Sequence, residues 1–360
     1  MDLPKKTSQN VAAFRLKLLS WYDANARDLP WRKDRDPYRV WVSEIMLQQT
    51  RVVAVIEHYH AFLRRFPTVQ KLAAARENSV LAAWSGLGYY RRARMLHTAA
   101  KVIAREREGV FPTSGSGWKE LPGIGRYTSA AVASIAFGES VAVVDGNVKR
   151  VLQRFAGKPL PGEKVWELAE EILDRERPGD FNQAIMELGA TVCTPRGPTC
   201  LTCPVVDLCA TRGEMAGMGK VSCQLKREIH YALHKRDGEV RLVQRARNAS
   251  LMAGMWELPE IVVEVGTSAG KRIPPSRFAR RRNDKERGGD ARSRIGNGQA
   301  VARGELLFSV RHSITVTNYT VRVWKTDAGV ADGKWVAVDR LSRMALTGLA
   351  RKILRKAEMI

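Results

Sequence analysis

The chain contains no uncharged apolar run of membrane-spanning length, so no transmembrane helix is expected of it. Its start, MDLPKKTSQN, carries charge with no apolar stretch behind it, because Arg15 and Lys17 break up residues 11–30. No secretory leader is expected either, and the protein reads as intracellular. Cysteine is scarce: five in 360 residues, which in such a compartment stay reduced or bind metal. Acidic side chains are the largest deficit. Against 60 Lys and Arg stand 37 Asp and Glu, a formal charge of +23, with an isoelectric point near 10.2. That surplus points to a polyanionic partner, most simply nucleic acid, held through phosphate neutralisation and counterion release. A soluble protein with one basic tail would give the same total, and charge alone does not separate the two.

What is present is organised around residues 121–150, LPGIGRYTSAAVASIAFGESVAVVDGNVKR. A glycine turn, Pro122-Gly123-Ile124-Gly125, runs into a helix of Ala, Ser and Val. Backbone N–H groups at such a helix start make a ready anion site. Beyond the helix stands a carboxylate, Asp145, followed by Gly146, Asn147, Lys149 and Arg150. The pattern reads as a phosphate grip joined to a catalytic acid.

The length leaves room for two domains with separate cores. Residues 8–25 space Val11, Phe14, Leu18 and Tyr22 along one helical stripe, and residues 27–32 form a proline-broken turn. Residues 38–51, YRVWVSEIMLQQTR, predict a mostly apolar helix with Glu44 at its centre and Gln48 one turn on, along the same face. A carboxylate there is either buried, and then paired or functional, or it points to water; the sequence leaves both open. Residues 53–109 hold several helices, broken at Pro67 and at Gly86-Leu87-Gly88. After that break, Tyr89, Tyr90, Arg91, Arg92 and Arg94 are either a nucleic-acid surface or packed tyrosines beside solvated arginines. On these residues alone the second is favoured.

Further helices are expected near 146–156, 163–175 and 180–191. Four cysteines then fall within 17 residues, Cys193, Cys200, Cys203 and Cys209, with prolines turning the chain between them. They can close round one metal centre, a structural zinc or a four-iron cluster, since both accept four thiolates. Cys223 stands outside the pattern. Residues 211–228 read as a connector, after which the period changes from helix to strand. Residues 228–233 and 239–243 predict a hairpin about Asp237-Gly238, residues 306–310 and 314–324 further strands, and residues 341–358 a basic amphipathic helix. Gly266–Ala300, with ten basic and three acidic residues and few apolar ones, reads as a disordered insertion. The expected architecture is a mainly α region over 1–210 and an α+β domain over 229–360.

A resemblance is carried by LPWR at 29–32, VSEIMLQQTRV at 42–52, GLGYYRRAR at 86–94, LPGIGRYT at 121–128, VDGNVKRVL at 144–152 and the four-cysteine loop. In this order they are similar to MutY-type adenine DNA glycosylases, of the helix-hairpin-helix superfamily that includes endonuclease III. The resemblance covers residues 10–215 and, more weakly, 228–358. It implies a helix-hairpin-helix catalytic region of two subdomains with a cleft between them. It also implies a [4Fe-4S] cluster on Cys193, Cys200, Cys203 and Cys209 that organises a DNA-binding loop. The C-terminal region resembles a Nudix-like domain that recognises 8-oxoguanine, without the Nudix hydrolase signature. The implied activity is base-excision repair by a monomer associated with DNA. Adenine is flipped out of an A·8-oxoG or A·G mispair in double-stranded DNA and removed by hydrolysis, leaving an abasic site.

By the same resemblance, Glu44 protonates adenine at N7 and Asp145 stabilises the oxocarbenium sugar. Glycosidic chemistry calls for that division between an acid and a carboxylate, in environments that push their pKa values apart. Tyr127 stands where bifunctional relatives carry a lysine, so no Schiff base forms and the strand is not cut; Asn147 assists Asp145. Gln48 and Tyr89 match residues that fill or wedge the duplex, and Arg91, Gly123 and Gly125 are expected on the DNA as well. Leu29, Trp31, Arg32 and Gln49 match the surroundings of the adenine pocket. The family's Phe-Ser-His string is split here, Phe308-Ser309-Val310-Arg311-His312-Ser313, which points to His312 as the lesion contact. Three rivals compete. A thymine glycosylase for T·G shares the tyrosine, hairpin and cluster but does without the C-terminal domain. Both carboxylates argue against a noncatalytic damage-binding protein, and Tyr127 argues against an endonuclease III-like lyase.

Overall fold

The computed structural model describes residues 8–215, 225–249, 251–261, 304–314, 317–326 and 333–360. Cys223 and the insertion expected at Gly266–Ala300 lie outside the described residues. The chain divides into two compact units, Met1–Ala75 with Arg92–Lys220, and Arg76–Arg91 with Val221–Ile360. The stretch 76–91 thus belongs with the C-terminal unit, although in sequence it interrupts the helical region.

The first unit is helical. Its elements are α1 (Ser8–Asn25), α2 (Pro37–Leu47), α3 (Val52–Arg65) and α4 (Val69–Ala74). After α5 (Glu77–Ala83), which is part of the second unit, come α6 (Arg91–Glu106), α7 (Gly115–Lys119), α8 (Arg126–Phe137), α9 (Gly146–Ala156), α10 (Lys164–Ile172) and α11 (Pro178–Thr191). Side-chain caps start several of them: Asp36 accepts from the Arg39 N–H, Thr68 from Lys71 and Asp145 from Val148. On α1 the striped residues Phe14, Leu18 and Tyr22 are buried as their spacing predicts and Val11 partly so, with Phe14 edge-on to Phe155 of α9 at 4.7 Å between centroids. Burying each such side chain stabilises the unit by about 1.5–3 kcal/mol. α8 is made of small residues because it is enclosed, from Thr128 to Ile135. Gly179 on α11 permits that approach, since a Cβ there would stand 2.6 Å from the Ser134 carbonyl oxygen.

α2 is shorter than its sequence suggests. It ends at Leu47, Gln48 leaves the helix with ψ 114, and Gln49 adopts φ +56. Gln48 is therefore not on the helical face of Glu44. The cause is remote: the Arg92 guanidinium takes the Ile45 and Met46 carbonyls at 2.8 and 3.0 Å, and that of Gln48 as well. Those carbonyls have no partner within the helix, and a guanidinium satisfies them. Arg92 is thus not the solvated side chain its sequence context favoured.

The second unit carries β1 (Leu225–Ala232), β2 (Lys235–Arg236), β3 (Glu239–Gln244), β4 (Trp256–Glu257), β5 (Glu305–Ile314), β6 (Thr317–Lys325), β7 (Lys334–Ala337) and α12 (Gly348–Lys356). The expected hairpin between 228–233 and 239–243 does not form. β1 lies parallel to β6, with Ile229 opposite Val321, in a sheet of order β1-β6-β5. The Asp237-Gly238 turn exists, with φ +41 and +75 as a two-residue hairpin demands, but it joins β3 to the short β2. The C-terminal helix starts only at Gly348 behind a Thr347 cap, after a 3-10 segment at Val338–Arg343. Val240, Leu242, Val321 and Val323 from the strands form one core with Leu349, Ile353 and Leu354 of α12.

Candidate active site

Glu44 sits on a helix whose neighbours Trp41, Val42, Ile45 and Met46 are all buried, and it is itself only 5% exposed. The question left by the sequence is thereby answered: the carboxylate is buried and bonded. The Tyr127 hydroxyl, from the first turn of α8, donates to Glu44 Oε2 at 2.7 Å and also lies 3.4 Å from Met186 Sδ. Burial pushes the Glu44 carboxyl up to about 7; the Tyr127 bond and Arg32 oppose that rise, while the charge of Asp145 adds to it. Burial and the two nearby carboxylates hold the Tyr127 phenol well above its ordinary value, so it remains a donor.

Asp145 is fixed by its role as a helix cap. Oδ1 accepts from the Val148 N–H at 2.7 Å, and Oδ2 from Asn147 Nδ2 at 3.1 Å. Burial raises its pKa, opposed by the Val148 and Asn147 N–H groups and by Arg150. Both acids are thus shifted upward, and by unequal amounts, Glu44 far enough to reach about 7. They differ also in their hydrogen bonds: Asp145 accepts from amide groups, Glu44 from a single phenol. Asn147 is held in turn by Arg150, whose Nη2 reaches Asn147 Oδ1 at 2.9 Å and whose Nε reaches the Cys193 carbonyl at 2.8 Å. Gly189 lets α11 pass close by, because a Cβ there would stand 2.7 Å from Asn147 Cβ.

These groups line one cleft of about 560 Å³ in the first unit, a size suited to a small organic group. Glu44, Tyr127, Asp145 and Asn147 border it, as do Gln48, Gly123 and Gly125. Leu29, Trp31, Arg32 and Gln49 border it too. Gln48 Nε2 donates to Thr128 Oγ1 at 3.1 Å, which ties the end of α2 to α8. Gly125 is the N-cap of α8 and offers no side chain to the first-turn N–H groups, so the glycine turn retains its anion-binding character.

One charged group of the cleft escaped the sequence reading. Glu187 on α11, 1% exposed in its side chain, borders the same cleft. Arg27 Nε and Nη2 donate to it at 2.5 and 2.8 Å, and Arg32 Nη2 at 2.9 Å. Burial would raise its pKa, but the two guanidinium groups outweigh burial and hold it below the usual value. The signal that singles out Glu44, an acid inside a mostly apolar helix, is present at Glu187 as well. Tyr89, Arg91 and His312 belong to the other unit. Tyr89 is 47% exposed, and Arg91, the last residue of that unit's 76–91 stretch, is exposed as well. His312 lies on β5, two residues before that strand ends at Ile314, whereas Phe308 and Ser309 fall well inside it.

The four loop cysteines line a second, smaller cavity in the first unit, walled by Val151, Phe155, Leu188 and Val205. All four are free thiols. Among the described residues, no group of His, Cys, Asp or Glu is drawn in to hold a single metal ion. Arg154, almost wholly buried, donates to Cys193 Sγ at 3.3 Å and to the Thr194 carbonyl at 2.7 Å. Burial first, and the neighbouring thiols second, raise the pKa of Cys200, and the Cys203 thiol is pushed up to about 11. Four thiols lining one small cavity suit a cationic group that would draw off their protons. Among the described residues no helix is long and apolar enough to cross a membrane.

Residues 42–174 match the family described as HhH-GPD superfamily base excision DNA repair protein. The adenine DNA glycosylase of Homo sapiens is 50% identical over 217 residues, 56% of this chain and 40% of that one. That of Rattus norvegicus is 40% identical over 319 residues, 71% of this chain and 61% of that one. The chain therefore spans about half the length of these two relatives. Among solved structures, a thermostable thymine-DNA glycosylase is 31% identical, with TM-score 0.54, covering 57% of this chain and 97% of that one.

Proposed function

Because the chain belongs to the HhH-GPD superfamily of base excision DNA repair proteins, we propose that it is an adenine DNA glycosylase acting on A·8-oxoG and A·G mispairs in double-stranded DNA. The observation that carries this reading is the buried, protonatable Glu44 bonded to Tyr127 in the cleft that Asp145 also borders. The similarity to the rat enzyme extends over more of the chain than the helical unit holds. That favours an adenine enzyme with a C-terminal domain over a thymine glycosylase without one. We assign the C-terminal unit as a Nudix-like domain that reads the opposite base, with His312 as its contact.

The chemistry follows from the cleft. The adenine nucleotide leaves the stack and enters it, with its phosphate at the Gly123–Gly125 turn. Glu44, protonated, gives its proton to adenine N7. The C1′–N9 bond breaks, its electron pair leaves with the base, and the sugar becomes an oxocarbenium ion beside the Asp145 carboxylate. Water adds at C1′, and its proton returns to Glu44. Tyr127 keeps Glu44 oriented and, having no amine, cannot attack the sugar, so the product is an abasic site in an intact strand. Asn147 holds Asp145, while Leu29, Trp31, Arg32, Gln48 and Gln49 enclose the base or fill its place. Outside the cleft, Tyr89 and Arg91 contact the duplex, and the basic excess of the chain supplies phosphate affinity. Cys193, Cys200, Cys203 and Cys209 would hold a [4Fe-4S] cluster, which supplies a structural clamp on the DNA-binding loop. One copy of the chain suffices.

The test is base release from matched duplexes containing A·8-oxoG, A·G, T·G and thymine glycol. Free adenine is expected from the first two, with strand breaks only after alkali. Preferential release of thymine would overturn the assignment.

A further inference from the structure

Residues 76–91 carry Tyr89 and belong to the C-terminal unit, and a small set of side chains fixes them there. The Leu346 carbonyl accepts from Ser85 Oγ at 2.7 Å and from the Tyr90 hydroxyl at 3.4 Å. Arg351 Nε donates to the same Ser85 Oγ at 2.9 Å. Ser85, Tyr90 and Leu346 are all buried, so removing one partner leaves a polar group without water to replace it. The loop above this anchor is rigidly set. Buried Trp84 donates from Nε1 to the Gly88 carbonyl at 3.2 Å, and Gly86 and Gly88 take φ of +114 and +70. Tyr89 follows at φ +47, a strained conformation for a bulky residue that persists only where its surroundings impose it.

The anchor is also the flank of His312. Leu346 bridges Trp256 of β4 and leads through the Thr347 cap into α12. From α12, Lys352 Nζ donates to the Arg311 carbonyl at 2.6 Å and Lys356 Nζ to the Ser309 carbonyl at 3.0 Å, along the edge strand that bears His312. At Gly348, the first residue of α12, the two meet. A Cβ there would stand 3.9 Å from His312 Cε1 and 4.0 Å from the Tyr90 hydroxyl.

We propose that Ser85 and Arg351 are positioning residues for specificity, locking the Tyr89 loop to the start of α12 so that Tyr89 and His312 move as one body. Reading the base opposite adenine then directs the side chain that enters the duplex. This rests on the adenine-glycosylase reading above. The experiment compares single-turnover adenine release from A·8-oxoG and A·G duplexes by the full chain, by Ser85→Ala and by Arg351→Met, with melting temperatures alongside. Losing one such buried bond is expected to lower the A·8-oxoG to A·G rate ratio by about tenfold. The A·G rate should stay within about twofold of the parent, because Glu44 and Asp145 are untouched. If Ser85→Ala fails to fold, Arg351→Met carries the test, since Arg351 is half-buried and its loss leaves the Ser85–Leu346 bond in place. Equal losses on both duplexes, or an unchanged ratio in folded protein, would overturn the proposal. A parent protein that releases no adenine from either duplex would instead sink the functional reading, and this one with it.

Discussion

Replacing Tyr127 by phenylalanine removes the hydroxyl that donates to Glu44 Oε2 at 2.7 Å and leaves the ring in place. That bond favours the carboxylate, so its loss makes Glu44 harder to ionise. A hydrogen bond to a charged group contributes about 1.5–3 kcal/mol, and 1.36 kcal/mol corresponds to one pKa unit. From its present value of about 7, the Glu44 carboxyl should therefore rise by about one to two units. The sign for activity follows directly. In the proposed reaction Glu44 is protonated to serve adenine N7, so the parent protein is expected to release adenine below about pH 7 and to lose that activity as pH rises through that value. In Tyr127→Phe the alkaline limb should move upward, whatever happens to the plateau rate. Single-turnover adenine release from an A·8-oxoG duplex between pH 5 and 9 measures the limb. A limb that stays put or moves toward lower pH would refute both the direction of the bond and the role of Glu44 as the acid.

Other outcomes follow from the same geometry. Glu187→Ala strands Arg32, whose side chain is 15% exposed, and Arg27, which is more open to water. The loss in stability should be about 3 kcal/mol, at the low end for a broken buried pair, read from denaturant midpoints. Because the Glu187 pKa is lowered on folding, its contribution is present above the ordinary carboxylate range and fades as pH falls through the folded value. The parent's stability should accordingly decline on acidification more steeply than that of the variant. Purified protein should be yellow-brown with about four irons per chain, and Cys203→Ser should lose colour and iron together; colourless, active protein containing zinc would exclude the cluster.

The helical unit was legible because its apolar stripes keep helical spacing, as Phe14, Leu18 and Tyr22 do on α1. The site was legible where a residue breaks its context, as Glu44 does within an apolar helix. What stayed hidden was set by distant partners. No local pattern announces that Arg92 will cap α2 and turn Gln48 off its face. The alternation in β1 fits a hairpin with β3 as well as a parallel pairing with β6, and only the packing of the sheet decides between them. Residues 76–91 read as one more helix and loop, since their attachment to Leu346 spans more than 250 positions. That both acids would be raised was not legible either, since burial, the largest influence on each, is set by the packing of the whole unit.

Single-turnover adenine release by Glu44→Gln and Asp145→Asn, with binding to the same A·8-oxoG duplex measured in parallel, tests the central claim most directly. Each variant should slow release by at least about a hundredfold, the contribution expected of a positioned acid or of a preorganised charge. Duplex binding should stay within about threefold, because phosphate contacts dominate it. Release at the parent rate by either variant would contradict the assignment of the acid pair.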